Sequence, residues 1–159
     1  MNSKTLNVLL DTTYLLPTFG VTVRGLGLED IDRLRRLAVA GRVKFYCLSV
    51  VWVELLGKVS RETEKVGRDT TDIVSLAIES LLKSGLYIWL EPKSEDLIIA
   101  FKIRLDGHKD LIDNILYATS LNNNLILLTM DRELKEFLEK KNYKTENIKE
   151  HKELFKEIA

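Results

Sequence analysis

Apolar and polar residues follow one another along the chain in blocks that predict strands separated by helices. Short, mostly apolar runs predict strands at residues 6–10, 43–48, 86–90 and 125–128. The last of these is a bare aliphatic run, too short for a helix, which fits a strand buried on both faces. Apolar residues at helical spacing predict helices over residues 28–40, 50–58, 70–84, 94–105, 110–121, 131–141 and 150–158. Residues 143–148 are predicted to form a short strand at a sheet edge.

Strands that alternate with helices predict an α/β fold, in which right-handed crossovers join the strands of a parallel sheet. Two segments are predicted to lie outside these elements. Residues 17–27, which contain Pro17 and three glycines, are predicted to be a loop, and the charged residues 59–69 are predicted to be exposed. The length of 159 residues predicts a single domain over residues 1–159.

Composition narrows the class of protein. The 24 Lys and Arg residues balance the 24 Asp and Glu residues, which argues against a positive field over the whole surface, although a local basic patch stays open. Cys47 is the single cysteine, so no intramolecular disulfide can form, and its apolar neighbours predict a buried thiol. No signal peptide and no run of about 18 apolar residues is evident, so we expect a cytoplasmic protein without a membrane span.

The helix predicted over residues 110–121 carries acids where its pattern leaves little room for a polar face. At 100° per residue, four polar side chains fall in one narrow sector, and aliphatic residues cover the rest; the four are Asp110, Asp113, Tyr117 and Ser120. A buried carboxylate costs several kcal/mol unless it is paired or coordinates a metal. The pattern therefore marks Asp113 as a candidate functional residue.

Three further acids occupy positions of the same kind. Asp11 and Asp131 each follow a predicted buried strand, and ligands of parallel α/β sheets bind at the carboxyl ends of strands. Glu54 stands among Val50, Val51 and other aliphatic residues one turn into its helix. No His or Cys accompanies these acids, and oxygen ligands alone favour Mg²⁺ or Mn²⁺ over zinc.

Four segments, in this order, resemble the motifs of the PIN domain, the nuclease family that includes VapC-type ribonuclease toxins. The segments are LLDTTYLL (9–16), SVVWVELLGK (49–58), DNILYATSL (113–121) and LILLTMDREL (125–134). The resemblance implies a three-layer α/β/α sandwich around a parallel sheet of about five strands. It implies metal-dependent cleavage of RNA that leaves a 3′-hydroxyl and a 5′-phosphate. Frequent homodimers and a small antitoxin partner are implied as well.

The resemblance also implies roles for individual residues. The metal-binding acids would be Asp11, Glu54, Asp113 and Asp131, and the supporting hydroxyls would be those of Thr13 and Thr129. Asp110 could be a fifth acid, or only a favourable partner of the helix dipole.

Three of the four acids also have a purely structural alternative, whereas Asp113 is the hardest to explain in that way because its helix has so little polar face. Asp11 could close an Asx-turn, Asp131 could cap the helix that follows it, and Glu54 could form a surface pair with Lys58, four residues on. His108 and His151 lie in polar contexts and are predicted to be exposed bystanders.

Other functions also stay open. An Asp after the first strand fits an aspartyl phosphatase or a receiver domain, yet LLDTT lacks the second acid that both require. A PIN nuclease that processes ribosomal or transfer RNA, and a non-catalytic RNA- or protein-binding module of the same fold, are further alternatives. A dinucleotide-binding domain is disfavoured because no G-x-G-x-x-G follows the first strand.

Overall fold

Five parallel strands form the central sheet of the protein, seen here in a computed structural model that describes residues 4–159. The strands are β1 (Leu6–Leu10), β2 (Val43–Leu48), β3 (Tyr87–Leu90), β4 (Ile126–Leu128) and β5 (Ile148–Lys149). Their order is β3-β2-β1-β4-β5, and every neighbouring pair is parallel. The predicted α/β/α fold with a parallel sheet of five strands is confirmed.

Seven α-helices connect and flank the strands within residues 4–159. They are α1 (Leu28–Val39), α2 (Val51–Val66), α3 (Thr71–Lys83), α4 (Ser94–Asp106), α5 (Leu111–Asn122), α6 (Arg132–Lys140) and α7 (His151–Ile158). Two 3-10 helices, Thr12–Tyr14 and Leu16–Phe19, follow β1, so the predicted loop over residues 17–27 begins inside helical structure.

The position of β1 decides where a ligand site can form. β1 pairs with β2 on one side and β4 on the other, so the order of the strands reverses at β1. Leu10 lies beside Leu128 in the register of β1 and β4. The residues that follow these two strands therefore emerge side by side at the carboxyl edge, where open α/β sheets bind ligands.

Several predicted boundaries were wrong. Helix α2 continues to Val66, beyond the predicted end at Lys58, because Val59 is buried in the core, and Gly67 ends the helix in the left-handed conformation at φ 71°. The edge strand predicted over residues 143–148 is shorter and begins later, because β5 comprises only Ile148–Lys149.

Ser49 and Ser94 stand where α2 and α4 begin, but neither caps its helix. Val50 precedes α2 without a side-chain cap, and the Ser49 hydroxyl instead donates to Glu91 Oε2 at 2.6 Å. Lys93 precedes α4, and its backbone N–H donates to Asp96 Oδ2 at 2.9 Å. Serine is a preferred N-cap residue, yet the Ser49 hydroxyl is engaged by Glu91, and the Asp96 side chain binds the N–H of Lys93 at the start of α4.

The histidines were wrongly predicted to be exposed. His151 is 1% exposed, and its Nδ1 lies 2.9 Å from the Tyr14 hydroxyl, within hydrogen-bond distance. Burial lowers the pKa of His151. His108 is half-buried, with its Nδ1 2.7 Å from Asn114 Oδ1. Sequence context alone concealed both residues because their partners are distant in the chain or lie across a turn.

Some apolar residues remain on the surface. Ile73 and Leu76 of α3 are apolar, but both are exposed. Helix α4 carries a second exposed apolar group, formed by Leu97, Ile98, Phe101 and Leu105. Within residues 4–159, none of the helices has both the length and the apolar character that crossing a membrane requires.

Candidate functional site

Acidic residues from separate elements line one small cavity at the carboxyl edge of the sheet. Its volume is about 130 Å³. The lining residues are Asp11, Thr12, Thr13, Glu54, Lys58, Asp110, Asp113 and Asp131. Every acid singled out from the sequence reaches this cavity, together with Thr13, and Thr129 lies directly behind Asp11.

Asp11 is held at the end of β1 by two hydrogen bonds. Its Oδ1 accepts from the backbone N–H of Thr13 at 2.9 Å, and its Oδ2 accepts from the Thr129 hydroxyl. Burial raises the pKa of Asp11 to about 6, although the hydrogen bonds from Thr129 and Thr13 act in the opposite direction. The predicted turn contact exists, therefore, and it fixes the carboxylate inside the cavity.

Asp131 caps helix α6 and also faces the cavity. Its Oδ1 accepts from the backbone N–H of Leu134 at 3.2 Å, and its own N–H donates to the Thr129 hydroxyl at 3.1 Å. The capping alternative was therefore right about the hydrogen bond. Since a carboxylate has two oxygens, the cap leaves Oδ2 free to meet another group.

Asp113 is the carboxyl whose acidity the site changes most. Burial raises the pKa of Asp113 to about 8, and a hydrogen bond shared with Asp131 and the nearby charge of Asp110 act in the same direction. The two other polar residues of its helical sector, Tyr117 and Ser120, are fully buried. The polar sector of α5 therefore runs into the protein interior, and its two amino-terminal members, Asp110 and Asp113, line the cavity.

Asp110 is the N-cap of helix α5. Its Oδ1 accepts from the backbone N–H of Asp113 at 3.1 Å. The side chain is thus held by the helix terminus while it lines the cavity.

Glu54 and Lys58 form an ion pair within this cavity. The distance from Lys58 Nζ to Glu54 Oε1 is 2.7 Å. The ion pair that was considered as a structural alternative for Glu54 therefore exists. It is not fully on the surface, because the Lys58 side chain is 37% exposed and the Glu54 side chain 22%. The i,i+4 spacing signalled the pair, but it could not signal that the lysine enters the cavity.

Two observations bear on whether a divalent cation fits these residues. The donors are all oxygens, which hard cations prefer. Thr12 Oγ1 is buried without a hydrogen-bond partner in a residue 2% exposed, and Thr12 lines the same cavity. Nothing in the sequence signalled Thr12. A hydrated cation bound among the carboxylates would offer this buried hydroxyl the hydrogen-bond partner that it lacks.

The acids are not gathered into a ready-made coordination shell. Among residues 4–159, no three His, Cys, Asp or Glu side chains are grouped closely enough to hold a metal ion. Like charges repel at short distance, and four of the five carboxylates have other partners. These partners are the Thr13 N–H and the Thr129 hydroxyl for Asp11, a helix N–H for Asp110 and for Asp131, and Lys58 for Glu54. The residues fit a divalent cation in the chemistry of their donor atoms.

A larger groove of about 380 Å³ adjoins the cavity across Asp131. It has both acids and bases in its wall, which are Asp131, Arg132, Lys135, Glu136, Glu139, Lys149, Glu150 and Glu153. Because acids outnumber bases there, this groove does not offer an anion site. The small cavity is the candidate site on the grounds of its chemistry.

A family model matches the part of the chain that contains the acidic cavity. The family model described as PIN domain matches residues 8–140, which is most of the chain and includes all four acids. The chain belongs to the PIN domain family. PIN domains are nucleases, so the family and the acidic cavity agree in the class of chemistry.

Solved structures agree with the PIN domain in fold. PAE2754 from Pyrobaculum aerophilum superposes with a TM-score of 0.64 at 15% identity, covering 99% of this chain and 98% of that one. VapC20 from Mycobacterium tuberculosis, described as a Sarcin-Ricin loop cleaving toxin, gives 0.57 at 10% identity, covering 81% and 93%. No curated protein matches this PIN domain in sequence.

Proposed function

We propose that this PIN domain is an endoribonuclease that depends on Mg²⁺ or Mn²⁺. One observation carries the proposal: Asp11, Glu54, Asp113 and Asp131 come from four separate elements and line a single cavity of about 130 Å³. Membership of a nuclease family supports the reaction class. These four carboxylates would hold the metal, with Asp110 and the Thr12 and Thr13 residues beside them.

The chain's own residues supply orientation and charge. Thr129 and the Thr13 backbone hold Asp11 from two sides, so that one carboxylate is fixed before any ligand enters. Burial, Asp131 and Asp110 raise the pKa of Asp113, and loss of the Asp113 proton would give the cavity a further negative charge. A divalent ion held by Asp11, Glu54, Asp113 and Asp131 would activate water for attack and stabilise charge on the phosphoryl group. The products would carry a 3′-hydroxyl and a 5′-phosphate.

We infer that the substrate is single-stranded RNA or an RNA loop. Proteins read RNA sequence mostly where bases are unstacked and can be contacted. VapC20, which shares the fold at 10% identity, is described as cleaving the Sarcin-Ricin loop. That description supports a toxin that is held by a small antitoxin protein. The first alternative to a toxin is a PIN nuclease that processes ribosomal or transfer RNA. The second is a non-catalytic module of the same fold that binds RNA or protein.

A homodimer in the cytoplasm is part of the proposal, with residues 1–159 as one domain. The exposed apolar residues of α4, which are Leu97, Ile98, Phe101 and Leu105, would pack against a second copy. Light scattering of the purified protein measures this directly, and a monomer at high concentration would contradict it.

The test of the proposed reaction uses purified protein and a panel of structured and unstructured RNAs. We expect cleavage with Mn²⁺, no cleavage with EDTA, and 5′-phosphate ends on the products. A small phosphate monoester, added as a second substrate, tests the phosphatase alternative. Hydrolysis of the monoester with an intact RNA panel would replace the ribonuclease proposal with a phosphatase, and binding without cleavage would support the non-catalytic module.

A further inference from the structure

Lys58 is the single basic side chain among the eight residues that line the acidic cavity. Its Nζ lies 2.7 Å from Glu54 Oε1. A lysine ammonium has three N–H donors, and this pair uses one of them. The side chain is 37% exposed, so the ammonium can be reached from solvent. The remaining donors are therefore available to a ligand that enters the cavity.

Other ion pairs at helical spacing show that this one is unusual. Lys83 and Glu79 of α3 lie 3.7 Å apart with side chains 74% and 63% exposed, and Arg36 and Asp32 of α1 are 73% and 60% exposed. Such exposed pairs contribute little to stability. Lys58 and Glu54 are closer together and about half as exposed or less, so this lysine is placed at the acids and is not an ordinary surface partner.

The excess of negative charge around the cavity favours a cationic side chain at this position. Five acids face one base, and an RNA phosphodiester that approaches brings another negative charge. A fixed cation beside the acids reduces that repulsion. The charge of Lys58 already acts in this way on Asp11, since it lowers the pKa that burial raises.

We propose that Lys58 is a phosphate-positioning residue, whose ammonium bridges Glu54 and a non-bridging oxygen of the RNA phosphate. This inference rests on the proposed ribonuclease function. Lysine is well suited to this contact because it binds phosphate as a compact point charge on a flexible stem. The ion pair with Glu54 places that charge at the site before the RNA arrives.

The test compares Lys58→Met, Lys58→Arg and the control Lys83→Met. Methionine resembles lysine in length and in helix propensity, so the substitution removes mainly the charge. Lys83 forms the corresponding i,i+4 pair on α3, away from the cavity. Three quantities are measured: kcat/KM for a single-stranded RNA with Mn²⁺, its dependence on KCl concentration, and Mn²⁺ binding to the protein alone by calorimetry.

We expect Lys58→Met to lower kcat/KM about 10- to 100-fold, as the loss of a hydrogen bond to a charged group does. The slope of log kcat/KM against log salt should weaken by about 0.7, the value for one phosphate contact to a single strand. Mn²⁺ affinity should be unchanged or higher, because Glu54 loses a competing partner. Lys58→Arg should recover most of the rate, and Lys83→Met should match the wild type.

Two results would overturn the inference while the wild type still cleaves RNA. One is a Lys58→Met variant with wild-type kcat/KM and salt slope. The other is a loss of Mn²⁺ affinity equal to the loss of rate, which would show that Lys58 only maintains the acids. A wild-type protein that cleaves no RNA would overturn the proposed function and this inference together. That result is distinguishable from the two Lys58→Met results, because in both of those the wild type is active.

Discussion

The Thr129 hydroxyl donates a hydrogen bond to Asp11 Oδ2 and thereby joins the ends of β1 and β4 through their side chains. The same oxygen accepts from the backbone N–H of Asp131 at 3.1 Å. A hydroxyl has one proton and two lone pairs, and Thr129 uses both capacities on the two acids that follow parallel strands. One buried threonine therefore links Asp11 to Asp131, in addition to the backbone hydrogen bond from the Asp11 N–H to the Leu128 carbonyl at 3.1 Å.

Replacing Thr129 by valine tests this arrangement. The shape is nearly kept, but Asp11 Oδ2 and the Asp131 N–H each lose a buried partner. We expect the free energy of unfolding to fall by about 1–3 kcal/mol, and RNA cleavage to fall with it. Urea denaturation and a cleavage assay measure the two effects. Thr129→Ser keeps the hydroxyl and serves as the control, and a Thr129→Val protein as stable and active as the wild type would refute the linkage.

The raised pKa of Asp113 predicts how the metal-free protein responds to pH. In the native state this pKa is about 8, mainly because of burial, against an ordinary value of 3.8. Between these two values the native state holds a proton that the unfolded state has released, so stability must fall as pH rises. The contribution is fully present below about pH 4 and is lost by about pH 8.

Urea denaturation in EDTA measures this loss at several pH values within that window. Asp11 acts in the same direction over the lower part, since its pKa is raised to about 6. Asp113→Asn should therefore lose clearly less stability than the wild type as the pH rises. An equal loss in the two proteins would show that Asp113 does not titrate as the buried environment requires.

Asp110 provides a separate test, because its hydrogen bond to the Asp113 N–H identifies it as a helix cap. Asparagine caps helices about as well as aspartate, whereas alanine costs roughly 1 kcal/mol. We expect Asp110→Asn to fold with wild-type stability and to keep most of the cleavage rate, and Asp110→Ala to be less stable. If Asp110→Asn folds normally but cleaves no RNA, Asp110 belongs with the four essential acids.

The sheet could be predicted from the sequence because both of its faces are covered. Strand β4 then appears as an uninterrupted aliphatic run, and β1 as an aliphatic run with one polar residue, Asn7. The order of strands and helices leaves few topologies. Helix boundaries were less predictable where a tertiary contact decides them. Val59 extends α2 because it is buried, and Ser49 gives up capping to bond Glu91, which is 42 residues away.

The candidate site was predictable to a similar degree. Acids at strand ends or in apolar helices break the local pattern, and this made Asp11 and Asp113 visible. Lys58 and Thr12 were not visible as cavity residues, because a lysine four residues after a glutamate and a threonine after an aspartate are both ordinary. His151 was predicted wrongly since its partner, Tyr14, is 137 residues away. Only the folded chain shows these contacts.

The shift in melting temperature caused by Mn²⁺ tests the central claim most directly. A ligand at about 100 times its dissociation constant stabilises the native state by about 2.7 kcal/mol, which corresponds to several degrees for a protein of this size. The claim predicts this shift for the wild type and for Asp72→Asn, a control on an exposed residue of α3. It predicts a much smaller shift for Asp113→Asn, whose metal-free form should melt no lower than the metal-free wild type. A destabilised Asp113→Asn protein that keeps the full manganese shift would contradict the claim.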